Sequence, residues 1–215
     1  VDTPLSEGGI IGTAIGLALY GMRPVAEIQF SDFIFPAFDQ IVNELAKYRY
    51  RSGGQYTAPM VIRTPVGGGI RGGHYHSQSP EAYFLHTPGL KVVSPSNPYD
   101  AKGLLSSSID DNNTVLFFEH KALYRSISKE IPSDNFHIDL GKAKIIQSGE
   151  DLTIVSYGMG IIWIKDFIDK NPSYKKSLEI VDLRTLLPWD KDTVIKSIKK
   201  TNKLLIINED NITGS

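Results

Sequence analysis

Cysteine is missing altogether from the 215 residues. Disulfides, thiolate zinc sites and a catalytic thiol are thereby excluded, which fits a reducing compartment. Net charge is scarce too: 23 basic residues against 24 acidic leave −1. Bulk electrostatics thus offers no hold on nucleic acid or on a membrane surface. Long apolar runs are lacking. The longest uncharged stretch near the start, Gly8 to Met22, falls short of the roughly 20 apolar residues that cross a bilayer, and it lacks the charged leader of a signal peptide. No internal repeat and no low-complexity segment stands out. The first residue is not Met, and Ile212-Thr213-Gly214-Ser215 follow directly on a strand-like run. Both ends read as cut, and an internal fragment is expected. What remains is ordinary for a soluble globular chain: 41% hydrophobic and 22% charged, enough for one large domain or two small ones.

The stretch Thr3-Pro4-Leu5-Ser6-Glu7-Gly8-Gly9 places one carboxylate where an extended step meets a small-residue helix, expected over 8–20. A negative charge there is favoured by the helix macrodipole, and the glycines would let a flat ligand approach the backbone. Taken alone, Glu7 reads first as a first-turn acid. Gly8, Gly12 and Gly16 recur every four residues, which predicts close packing against another element. Pro24 to Phe30 reads as a buried strand. A helix capped by Ser31 or Asp32 is expected from Phe33 to Tyr50, with Phe38, Ile41, Val42, Leu45 and Tyr48 on one face. Strands follow at Met60–Val66, Leu90–Ser94 and Thr114–Glu119. Helices are expected between them, one started by Ser79-Pro80-Glu81 and one opened by Asn97-Pro98. Strands about every thirty residues with helices between predict βαβ units and a parallel sheet. From His120 to Leu140 the pattern fails, as in a surface linker. Strands resume at Leu152–Tyr157, Leu178–Leu183 and Leu204–Ile207, with helices at 161–169 and 190–199.

Two stretches could carry chemistry. Gly67-Gly68-Gly69-Ile70-Arg71-Gly72-Gly73 contains G-x-G-x-x-G after a strand. No helix begins there, and the position for the ribose-binding acid falls in Lys91-Val92-Val93, so a dinucleotide fingerprint is rejected. A gate beside a site and a plain surface loop stay open. His74 and His76 flank Tyr75 and share one face if extended. A third metal ligand is not evident, so one histidine acting as proton donor is the better use of the pair. No serine sits in a nucleophile elbow.

Together the runs TPLSEGG, EIQFSDFIFPAFDQIVNELAKYRYRSGG, HYHSQSPEA, GLKVVSPSNPYDAKGLL and VDLRTLLPWD resemble the beta subunit of thiamine-diphosphate-dependent 2-oxo acid dehydrogenases, over essentially the whole chain. The runs YRYRSGG, YHSQSPEAYF and FFEHKALYR look closer to the branched-chain members than to pyruvate dehydrogenase. The resemblance implies an α/β fold: a transketolase-type, parallel-sheet pyrimidine-binding domain at 1–125, N-terminally truncated, a linker at 126–142, and part of a transketolase C-terminal domain at 143–215. It also implies thiamine diphosphate at an interface with an alpha subunit or fused alpha half, which holds the Mg²⁺. Further implied partners are a second beta copy, a lipoyl acyltransferase and the 2-oxo acid; the implied compartment is a bacterial cytoplasm or a mitochondrial matrix.

Carried over position by position, Glu7 matches the catalytic carboxylate that hydrogen-bonds a ring nitrogen of the aminopyrimidine and favours its imino tautomer. Leu5, Gln29 and Phe33 match cofactor-binding positions, Phe33 where relatives can carry Tyr. His76 matches the catalytic histidine implicated in acyl transfer to the lipoyl group. A monovalent cation such as K⁺ is implied near Ser108, Asp111 and Asn113. Rival expectations are a pyruvate dehydrogenase beta subunit, a transketolase or deoxyxylulose-phosphate synthase, and a non-catalytic scaffold half.

Overall fold

The structure, a computed structural model, describes residues 1–214. Helix α1 (Glu7–Leu19) starts where Ser6 accepts a hydrogen bond from the Gly9 N–H at 3.4 Å. It buries Ile11, Ala14, Ile15 and Ala18, one stripe at helical spacing. Gly12 and Gly16 meet open space, and only Gly8 packs closely: an added Cβ would lie 3.2 Å from the Pro36 carbonyl. The expected glycine seam is therefore not used within this chain.

Strand β1 (Val25–Glu27) is shorter than expected and is not buried on both faces. It pairs on one side only and turns Val25 and Glu27 outward. The long helix expected after it is broken into single 3₁₀ turns at Ser31–Phe33, Phe35–Ala37 and Leu45–Lys47, a π-helical stretch at Gln40–Glu44, and one α-helical turn, α2 (Tyr48–Arg51). No side chain caps its start. Pro36 in the second turn lacks an N–H and prevents a continuous α-helical ladder there. The apolar face survives, with Ile41 and Leu45 buried and Phe38 and Val42 packed on the core.

Next come β2 (Val61–Val66), α3 (Glu81–Leu85), β3 (Lys91–Val93), α4 (Pro98–Asp110) and β4 (Val115–His120). Asn97 caps α4 by accepting from the Asp100 N–H at 3.1 Å. Ser79 does not cap α3; Pro80 stands at that cap with no side-chain bond. β1, β2, β4 and β3 lie parallel in that order, with Val61 beside Val115 and Val66 beside His120. Ile62, Leu116 and Phe118 face α1, whereas Val61, Val115 and Phe117 face Leu104 of α4. Both faces are thus covered, as parallel sheets require.

The segment expected as a surface linker is mostly exposed; it holds a helical turn, α5 (Leu123–Ser126), and then touches α4. A Cβ added to Gly103 would lie 2.6 Å from both Phe136 and Ile138. The second sheet is built from β5 (Lys144–Gln147), β6 (Leu152–Ser156), β7 (Leu178–Asp182) and β9 (Leu204–Ile206), in the order β5-β7-β6-β9. Helices α6 (Gly158–Lys170) and α7 (Lys191–Thr201) cover it. β5 escaped notice in the sequence and runs antiparallel. So did β8 (Thr185–Leu187), which leaves the second half and pairs antiparallel with β3 in the first sheet.

Candidate active site

Three chain segments leave the first sheet at its carboxyl edge, where open α/β sheets bind ligands. Gln29 to Phe33 follow β1, the glycine loop follows β2, and Lys121 follows β4. The His76 ring lies edge-on to Phe30 at 4.5 Å and to Phe33 at 5.5 Å, and those two rings meet at 5.8 Å. The structure thereby unites Phe33 and His76. His76 Nδ1 faces the Gly72 carbonyl at 3.0 Å. A carbonyl only accepts, so Nδ1 carries the hydrogen and Nε2 is left for a ligand. His74 is turned away and exposed, against Tyr75.

Glu7 is the first residue of α1, half-buried, and its carboxylate has no protein hydrogen-bond partner among the described residues. The helix start rests on the turn after Phe33 through Gly8 and Pro36. Beside Gly8 the Gln40 Oε1 is buried without a partner, and both oxygens of Asp32, near Lys121, are likewise unpaired among the described residues. Leu5 is 91% exposed on the extended approach to α1, and Gln29 is exposed at the end of β1. Neither makes a side-chain hydrogen bond among the described residues. A free carboxylate at a helix start, a wall of aromatic rings and unpaired buried acceptors fit a flat heterocycle with N–H donors.

Residues not singled out in the sequence complete the surroundings. Lys121 Nζ lies 5.5 Å from the Phe30 ring centroid, buried and without a partner. Burial lowers its pKa, and Asp32 opposes that. Glu81, the first residue of α3, is 3% exposed. Burial pushes its carboxyl up to about 8, and nearby Asp210 and Glu209 add to this. Glu209 bonds His120 Nε2 at 2.8 Å and accepts from the Gly68 N–H at 2.5 Å. A buried acid in the Ser-Pro-Glu run could have been flagged by its neighbour Pro80; Glu209, far off in the chain, left no local signal. A cavity of about 850 Å³ adjoins the loop carrying His76, lined by His74, Ser77, Tyr83, His86 and Asp210.

At the expected cation position, several groups already have protein partners. Ser108 Oγ donates to the Leu104 carbonyl at 2.7 Å, Asp111 pairs with Lys91, and Asn113 Oδ1 accepts from Arg49 at 2.7 Å. Arg23 Nη1 takes the Ile109 and Asp111 carbonyls at 2.9 and 2.8 Å. Among the described residues no cluster of three His, Asp or Glu could hold a metal, and no helix is long and apolar enough to cross a membrane.

The parallel sheet with its site at the carboxyl edge defines a transketolase-type pyrimidine-binding unit, and the chain belongs to that family. Residues 1–126 match the transketolase pyrimidine-binding domain and 141–215 the transketolase C-terminal domain. More particularly, the chain is 54% identical to 2-oxoisovalerate dehydrogenase subunit beta, mitochondrial, of Dictyostelium discoideum, over 99% of its own length and 58% of the relative's. The protein called 2-oxoisovalerate dehydrogenase subunit beta in Bacillus subtilis is 48% identical over 100% of the chain and 66% of the relative. The pyruvate dehydrogenase E1 component subunit beta of Acholeplasma laidlawii is 45% identical over 97% and 64%. The chain thus spans less than two thirds of the length of these relatives. A solved structure described as a split gene transketolase, inactive beta4 tetramer, shares the fold with a TM-score of 0.79 at 21% identity, covering 98% of this chain and 65% of that one. The resemblance and the α/β fold expected from the sequence are borne out.

Proposed function

We propose that this chain is the beta-subunit portion of a 2-oxo acid dehydrogenase. It decarboxylates branched-chain 2-oxo acids and passes the acyl group to the lipoyl group of an acyltransferase. The observation that carries the substrate class is the identity to proteins named for 2-oxoisovalerate, 48% to 54%, against 45% to 47% for proteins named for pyruvate. Thiamine diphosphate, when bound between this chain and an alpha part that holds Mg²⁺, supplies the electron sink for decarboxylation. A second beta copy completes the assembly, in a bacterial cytoplasm or a mitochondrial matrix.

The chain's own residues bind, orient and move protons. The Glu7 carboxylate, at the positive end of α1, would accept a hydrogen bond from a ring nitrogen of the aminopyrimidine and so favour one of its tautomers. Phe33 would give that ring an apolar face, and Leu5, ahead of α1, and Gln29, after β1, would border it. His76 holds its Nδ1 hydrogen on Gly72, so Nε2 is the free ring nitrogen; it would take up a second proton, giving the imidazolium, and that Nε2 proton is the one it would pass to a lipoyl sulfur.

The test uses the complete enzyme with its alpha part. Glu7→Gln keeps the shape but weakens the acceptor, and kcat is expected to fall by about 100-fold or more. Near-normal turnover by an intact Glu7→Gln assembly would sink the catalytic reading and favour a scaffold. Wild-type rates with 2-oxoisovalerate should exceed those with pyruvate; the reverse order makes this a pyruvate dehydrogenase.

A further inference from the structure

We infer that Glu209 is a positioning residue: it latches the loop that carries His76 to the C-terminal half of the chain. The inference rests on the reading that His76 serves acyl transfer. The loop runs from Gly67 to Gln78 and is closed at its neck. The Gly67 N–H donates to the Gln78 carbonyl at 3.0 Å, and Ser31 Oγ donates to the same carbonyl at 3.3 Å. The second half of the loop is held by its own bonds. His76 Nδ1 meets the Gly72 carbonyl at 3.0 Å and Gln78 Nε2 donates to the His74 carbonyl at 3.1 Å.

The first half has no such support. Gly69, Ile70 and Arg71 make no hydrogen bond among the described residues. Gly69 and Arg71 have φ of +81° and +59°, a backbone region costly for arginine. The polar tether of this half is the Gly68 N–H, which donates to Glu209 Oε1 at 2.5 Å. The other carboxylate oxygen bonds His120 Nε2 at 2.8 Å. His120 ends β4 of the first sheet, and Glu209 follows β9 of the second. One carboxylate thus joins both sheets to the loop through hydrogen bonds to an ionised acceptor, the strong kind.

The adjacent glycine makes this geometry possible. Gly67 has φ +87°, and an added Cβ would lie 2.0 Å from His120 Nε2. The backbone must pass this close to the imidazole for Gly68 to reach Glu209. Loss of the tether frees residues 68–71. It also loosens Gly72, the partner of the His76 ring. The Phe30 and Phe33 contacts remain but no longer fix where Nε2 points.

The experiment uses the full-length beta polypeptide assembled with its partners, and reads amide exchange over 67–78 and tryptic cleavage after Arg71. Glu209→Ala is expected to speed both by about tenfold, as loss of one charge-assisted bond implies. Lipoyl acylation should fall by about tenfold, and turnover with an artificial electron acceptor by a much smaller factor. Glu209→Gln offers an oxygen to Gly68 and an N–H to His120, and should restore most of both. Unchanged exchange in Glu209→Ala overturns the latch whatever the activity does. Faster exchange with unaltered acylation overturns the positioning role. His76→Ala, run alongside, tests the reading beneath: equal losses in the two assays remove His76 from acyl transfer, while the exchange data still judge the latch. If Glu209→Ala does not assemble, Glu209→Asp keeps the charge, shortens the reach, and should give an intermediate loosening; none overturns the proposal.

Discussion

Glu81 sits at the start of α3 with its carboxyl almost sealed from solvent, beside Glu209, Asp210 and the lowered-pKa ammonium of Lys121. Burial, not a bond, dominates its titration. A carboxyl whose folded pKa is raised to about 8 from 4.5 binds its proton more tightly in the folded state. Its stabilising contribution is fully present below 4.5 and is lost as pH rises through 8. The wild-type protein should therefore lose stability between pH 5 and pH 8, on the order of 3 kcal/mol from this group. Glu81→Gln should flatten that interval, as read from urea midpoints at the two pH values. A variant with the same slope as wild type assigns the loss elsewhere. Residues of this kind mark the limit of sequence reading. His76 and Phe33 were legible because long runs around them match a family, and their ring contact follows from two adjacent strand ends. Asp32, Lys121 and Glu209 acquire meaning only where the fold brings distant segments together.

Among the elements, α4 shows both what periodicity reveals and what it hides. Its Asn97-Pro98 start and its end near Asp110 were readable, since cap and proline chemistry are local. Its C-terminal partner was not. Arg23, just beyond α1, reaches the Ile109 and Asp111 carbonyls and also Asn112 Oδ1 at 2.6 Å. A cation at a helix C-terminus satisfies carbonyls the ladder leaves free and suits the macrodipole. The region Ser31–Arg51 erred the other way: the apolar spacing was real, but Pro36 and the packing of α1 against its turn broke the expected helix into 3₁₀ and π segments. Arg23→Ala should cost about 1 kcal/mol, a modest figure because the guanidinium is exposed. Replacing K⁺ by a bulky organic cation should leave the wild-type melting temperature unchanged. A fall in melting temperature on that exchange alone would show that a metal, not Arg23, holds this helix end.

At the scale of the whole molecule, alternating strands and helices announced two α/β units, but nothing local announced how they join. The three-residue β8 is too short to carry a period, and its pairing with β3 is long-range. It enters the first sheet through a buried polar junction. Asp182 bonds Ser96 and accepts from the Arg184 N–H at 3.1 Å. Arg184, with φ +59°, sends its guanidinium to the Lys142 carbonyl at 2.9 Å and toward Asp100 at 3.5 Å. Burial pushes Asp182 up to about 6, with Asp100 adding to it, while Ser96 and Arg184 pull the other way. The junction thus carries two acids against one guanidinium, and removing the guanidinium leaves buried carboxylates uncompensated. Arg184→Ala should destabilise the chain by about 3 kcal/mol. Because the loss falls on contacts between the two sheets, unfolding should separate into two transitions, the second half melting first. Asp182 adds a sign: with its folded pKa above 3.8, its contribution is present below pH 3.8 and fades as pH passes 6. The two transitions of Arg184→Ala should therefore draw together at pH 5 and spread at pH 8. A single unshifted transition at both pH values would mean that β8 alone, through its backbone pairing with β3, carries the joint.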